Sequence, residues 1–94
     1  MLYVYIHTHS AERCIADKAG TFVEKYGSPL RQDAEKAGIK IIANYVAPQE
    51  HKIFIVFDVP DGKDIWALGD SIRAWTVWGN AQLVPVISFA ELNT

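Results

Sequence analysis

The residues best suited to chemistry in this 94-residue chain are His7, His9, His51 and the single cysteine, Cys14. Neutral imidazoles together with a thiolate make a donor set for zinc, iron, nickel or copper. The spacing His7-Thr8-His9 matters because alternate residues of a strand share a face, so both rings can serve one ligand. The same groups offer chemistry without metal. A histidine titrating near neutral pH is a general base, and a cysteine at a helix N-terminus is a nucleophile, which makes His9, Cys14 and His51 catalytic candidates. A third reading keeps His7 and His51 as partly buried polar groups bonded to turn backbone, with Cys14 as a small apolar filler. No Gly-x-Ser-x-Gly elbow, His-Glu-x-x-His pair or glycine-rich phosphate loop occurs in the sequence.

These side chains need elements to position them. Leu2 to Thr8 alternates with a period of two and predicts a strand. Ser10 is placed to cap a helix in which Ile15, Ala19, Phe22, Val23 and Tyr26 recur at helical spacing. Gly27-Ser28-Pro29 breaks that helix, Ser28 can cap a second segment, and Gly38 is the expected residue beyond its end. Ile39 to Val46 and Lys52 to Val59 predict a hairpin across the turn Ala47-Pro48-Gln49-Glu50. From Asp61 or Asp64 a helix carries Ile65, Leu68, Ile72 and Trp75 on one face, and Ala81 to Phe89 predicts a fourth strand. The order β-α-β-β-α-β is an α+β, ferredoxin-like arrangement in a single domain spanning 1–94. It implies an antiparallel sheet of order 4-1-3-2 with the helices on one face. Pro85 agrees, since a proline inside strand four requires a sheet edge.

Leu2, Val4 and Ile6 suit the face covered by helices, as do Ile39, Ile41, Ile53, Ile55 and Phe57. On that basis Tyr5 is expected opposite Phe54, Tyr3 opposite Val56, His7 opposite Lys52 and His9 opposite Glu50. His51 would then oppose Thr8, on the helix side with Cys14 and away from the other two histidines. Tyr3, Tyr5, His7, Asn44 and Phe54 would line a cavity on the uncovered face, where Ile42, Val46 and Val56 would also lie. So much apolar surface exceeds the roughly 300–600 Å² that a monomer usually exposes, and a second copy is expected to cover it.

His7-Thr8-His9-Ser10-Ala11-Glu12-Arg13-Cys14, Gly38-Ile39-Lys40, Tyr45-Val46-Ala47-Pro48-Gln49-Glu50-His51 and Val84-Pro85-Val86 carry a resemblance over nearly the whole chain. With the join Val59-Pro60-Asp61, they resemble the dimeric α/β-barrel superfamily, and within it small stand-alone proteins of the GYD-domain type. The resemblance implies two sheets packed face to face in a homodimer around a cavity. It implies no one activity, because that superfamily includes cofactor-free monooxygenases, isomerases, haem-degrading enzymes and binding modules. Haem-degrading members need a histidine on the second helix, and Asp61 to Gly79 contains none, which argues against haem.

Charge narrows the partners. Nine Lys and Arg against eleven Asp and Glu give a formal −2, with no basic run for nucleic acid or an anionic membrane. No apolar stretch is long enough for a membrane helix, and with no signal-peptide pattern ahead of Leu2 a cytoplasmic location is expected. One expectation is a homodimeric barrel that binds a small ligand or a transition metal where strands one and three meet. The alternatives are a cofactor-free isomerase or monooxygenase-like enzyme acting in the barrel cavity, and an oligomerisation module without chemistry.

Overall fold

The computed structural model describes residues 1–10, 26–77 and 79–92. The expected helix over Ile15–Val23, Cys14 and Trp78 lie outside the described residues. The described elements are β1 (Leu2–Thr8), α1 (Ser28–Ala37), β2 (Lys40–Ala47), β3 (Lys52–Asp58), α2 (Asp70–Arg73), β4 (Asn80–Val86) and α3 (Phe89–Leu92). Short 3-10 turns occupy Pro48–Glu50, Ile65–Leu68 and Ala74–Val77. The strands form one antiparallel sheet of order β2-β3-β1-β4, the expected order read from the other edge.

Local signals account for most boundaries. Pro29 sits in the first turn of α1, where a missing N–H costs nothing, and Gly38 ends the helix at φ 72°. The Gly38 N–H donates to Glu35 O and the Ile39 N–H to Ala34 O, closing the last turn. Ser28 lies inside the helix and Gly27 takes the capping position, so the expected serine cap does not form. Pro85 lies in β4, which pairs only with β1 and is an edge strand. The second helical region is not one helix. Gly69 stands at φ 60°, ψ −133° between Ile65–Leu68 and α2, which divides it into short turns. They still bury Ile65, Leu68, Ile72 and Trp75 as the spacing predicts. Strand four ends at Val86, three residues earlier than expected, because Ser88 starts a new turn in which the Glu91 N–H donates to Ser88 Oγ.

The register of β1 differs from the expected one by a single residue. Tyr5 pairs with Ile55, His7 with Ile53 and Thr8 with Lys52. The covered face of β1 therefore presents Tyr3, Tyr5 and His7, while Leu2, Val4 and Ile6 lie on the opposite face. A slip of one residue exchanges every side chain between faces, so the two errors are one. Tyr5 decides the matter physically. Its ring packs against Trp75 at 5.9 Å and Phe57 at 6.4 Å between centroids, and its hydroxyl donates to Ile72 O at 2.6 Å. An aliphatic residue there would bury comparable area without anchoring to α2. The core around it contains Leu30, Ile39, Ile53, Ile55, Phe57 and Trp75.

The opposite face carries Leu2, Val4, Ile6, Phe54, Val56 and Val84, none of them buried. Phe54 and Val56 lie where the sequence places them, but Tyr3 and Tyr5 do not. In β2 a register shift between Ile41 and Ala43 changes the faces of the residues beyond it. Tyr45 joins Phe54 on the open face, whereas Asn44 opposes Ile55 and Val46 opposes Ile53 on the helix side. All three are exposed at the sheet edge. Removing only the Tyr5 hydroxyl, with Tyr5→Phe, is expected to cost about 1 kcal/mol in urea unfolding. An unchanged midpoint would show that this bond does not hold β1 to α2.

Candidate functional site

The corrected register gathers the histidines. His7 is on β1 and His9 is the first residue beyond it, while His51 immediately precedes β3; the His9 N–H donates to His51 O at 3.1 Å, continuing the ladder by one step. All three imidazoles therefore lie on the helix-facing side, not on two faces as the sequence suggests. Ring centroids are 5.4 Å apart for His7 and His9, and 5.5 Å for His9 and His51. His9 is the ring common to both contacts.

Each ring is held by a different local device. His7 is fully buried, edge-on to Trp75 at 5.6 Å. Gly79 lies against its other side: a Cβ there would come within 2.6 Å of His7 Cε1 and 2.8 Å of Nε2, and would strike the Thr8 carbonyl oxygen. Only glycine lets the chain enter β4 this close to the imidazole. His51 follows the Pro48–Glu50 turn with φ 56°, ψ 46°, the one described non-glycine residue at positive φ. Its Nδ1 is buried and has no hydrogen-bond partner among the described residues. A left-handed residue with a side chain costs about 1 kcal/mol or more, and glycine would avoid that cost. The imidazole is held at this end of the sheet in spite of it.

Burial favours the neutral forms of His7 and His9. The His7 pKa is lowered to about 4, chiefly by desolvation and further by the neighbouring His9. The His9 pKa is also lowered, by burial first and His51 second. The Tyr5 phenol is pushed up to about 12 by burial and so remains a proton donor to the Ile72 carbonyl. A neutral imidazole can accept a metal ion or a proton. Among the described residues no group of three or more His, Cys, Asp or Glu is arranged to hold a metal ion. Two adjacent pairs remain, His7 with His9 and His9 with His51. Whether Cys14 joins either pair lies outside the described residues.

The other expected site residues separate. Tyr5 is core, Tyr3 is half-buried beside it on the same face, and Asn44 is exposed at the β2 edge. Of the expected cavity lining, Phe54 alone is on the open face, and His7 is shut off from it. A depression of about 340 Å³ does lie near the β1–β4 end, lined by Ile6, Thr8, Asn80, Ala81 and Gln82. Sequence reasoning missed it because it depends on β4 facing β1 in this register.

The family model for a domain of unknown function, DUF3303, matches residues 1–94. The chain belongs to the DUF3303 family. No curated protein matches it. Among solved structures, the DUF3303 chain is similar to a "putative transposase" from Deinococcus radiodurans R1, with a TM-score of 0.58 and 15% sequence identity. That likeness covers 99% of this chain and 84% of the other, and it is a likeness of fold. Among the described residues of the DUF3303 domain, no helix is long and apolar enough to cross a membrane.

The buried histidines give the domain a pH signature. A histidine whose pKa falls from 6.5 unfolded to about 4 folded binds fewer protons when folded throughout that interval. Stability is therefore full above about pH 6.5 and declines as pH falls through the window toward 4. The loss assigned to His7 across the full window is about 3 kcal/mol, and His9 adds to it in the same direction. Urea unfolding between pH 7.5 and 4.5 should show this decline, and His7→Leu should remove most of it. An equal decline in the variant would place the pH dependence elsewhere.

Proposed function

We propose that this chain works as a homodimer of the α/β-barrel kind and binds a late first-row transition metal ion through His9 and its neighbours. The observation that carries the reading is the position of His9, within 5.5 Å, centroid to centroid, of both His7 and His51 on one face of the β1–β3 pair. Imidazole nitrogen suits zinc, copper, nickel and iron(II). The left-handed backbone at His51, and an Nδ1 without a partner among the described residues, support a ligand-directed role for that ring. A small rotation of the His9 ring would let it share an ion with either neighbour, leaving coordination positions for water, a small-molecule ligand or Cys14.

The ferredoxin-like reading and the dimer rest on the sheet order and the open face. The element order found here, with a sheet whose second face is lined by Leu2, Val4, Ile6, Phe54, Val56 and Val84, is what two sheets packing together would need. A second reading comes from the depression on that face. Closed over by a partner sheet, its 340 Å³ falls within the range of small-ligand pockets. Its described lining has hydroxyl and amide groups from Thr8, Asn80 and Gln82 but no titratable side chain, which supports ligand binding over the cofactor-free isomerase or monooxygenase alternative. The role named for the Deinococcus structure is not part of this proposal: the likeness is at 15% identity, and a formal charge of −2 favours no phosphate backbone.

Elemental analysis of chelator-free protein, after incubation with zinc, copper, nickel or iron(II), tests the metal reading. Near one equivalent is expected for the native chain. His9→Ala should lose it almost entirely, because His9 belongs to both pairs, while His51→Ala weakens binding by about tenfold or more. Metal-free native protein after all four incubations would end the proposal.

A further inference from the structure

The end of the described chain carries apolar side chains that are largely exposed. Ile87 is 55% exposed, Phe89 86% and Leu92 65%. Such residues would be unremarkable in a frayed tail, but these are held in a formed turn. Ser88 Oγ accepts the Glu91 N–H at 3.1 Å, a side-chain cap on the turn, and its hydroxyl donates to the Glu91 carboxylate at 3.4 Å. The turn is thus ordered by its own bonds while its apolar groups face outward. It begins two residues beyond β4, the edge strand that contributes Val84 and Val86 to the open face.

Area indicates what this turn is for. Four strands about 4.8 Å apart and seven residues long at about 3.3 Å each give the open face a footprint of about 19 by 23 Å, about 440 Å². A stable interface buries about 800 Å² per partner, so the sheet face alone falls short by about 360 Å². A phenylalanine side chain with an isoleucine and a leucine at these exposures supplies about that much. We infer that residues 87–92 form an arm that a second copy of this chain takes against the margin of its own sheet face, beside the area the two sheets cover, each copy clasping the other about a twofold axis. This inference rests on the homodimer reading and deepens it by assigning the part of the interface that the sheets cannot supply. The barrel is then a sheet pair sealed by two arms. Weakening the arms opens the assembly without touching either sheet.

Sedimentation equilibrium on three proteins tests this: the native chain, the double variant Phe89→Asp/Leu92→Asp, and Val4→Asp on the sheet face. Far-ultraviolet circular dichroism checks that each is folded. The native chain is expected to be a dimer, and the double variant to dissociate at least 100-fold more readily while keeping its fold, since neither residue is buried in its own chain. Val4→Asp should dissociate it as well. A native dimer with a double variant that associates equally tightly overturns the arm and leaves the dimer standing. A double variant that dissociates while Val4→Asp does not overturns the docking of the arm beside the covered sheet face. A monomeric native chain overturns the dimer reading and the arm with it.

Discussion

The histidine end of this domain depends on one pairing, Tyr5 opposite Ile55 in the β1–β3 ladder. A strand's side chains alternate between faces, so register decides which residues are core and which are not. With Tyr5 opposite Ile55, His9 meets His51 and the three imidazoles share a face. One residue of slip would leave His51 on the opposite side from His7 and His9. Three local constraints agree on the observed register. The Tyr5 hydroxyl reaches Ile72 O, the Pro48–Glu50 turn holds His51 in a left-handed conformation, and Gly79 leaves just enough room over His7 for β4 to pair with β1. None of the three is strong alone, yet each fails if the strand moves.

Burying two or three imidazoles in contact costs free energy unless the rings stay neutral, and the lowered pKa values of His7 and His9 reflect that cost. A leucine would fill the His7 position without it. The other face shows the converse. Its aliphatic residues are left partly accessible while tyrosine and histidine are taken into the core. The sequence thus gives up internal hydrophobic burial on β1 to place polar rings against the helices and aliphatic side chains on the other face.

Much of the architecture was readable without coordinates. The period-two run of Leu2–Thr8, the glycine at position 38, the β2–β3 hairpin and Pro85 at an edge each carry a local mechanism, and together they lead to the sheet order found. The faces of β1 were not readable. Both of its alternating sets are apolar enough for a core, and the choice turns on a hydroxyl meeting the carbonyl of a residue 67 positions away. The gathering of His7, His9 and His51 at one end followed from topology, but their common face followed only from register. The bulge at Ile41–Ala43 and the break at Gly69 were likewise hidden. A bulge depends on the partner strand, and Gly69 inside an apolar helical pattern carries no mark of its own.

The most direct measurement is a set of cross-strand nuclear Overhauser contacts in uniformly labelled protein at pH 7. The structure requires backbone contacts that pair Tyr5 with Ile55 and Thr8 with Lys52, together with ring-proton contacts from His9 to both His7 and His51. Contacts pairing Tyr5 with Phe54, with His51 silent toward His9, would contradict the register. The shared histidine face, and the site proposed on it, would then fall together.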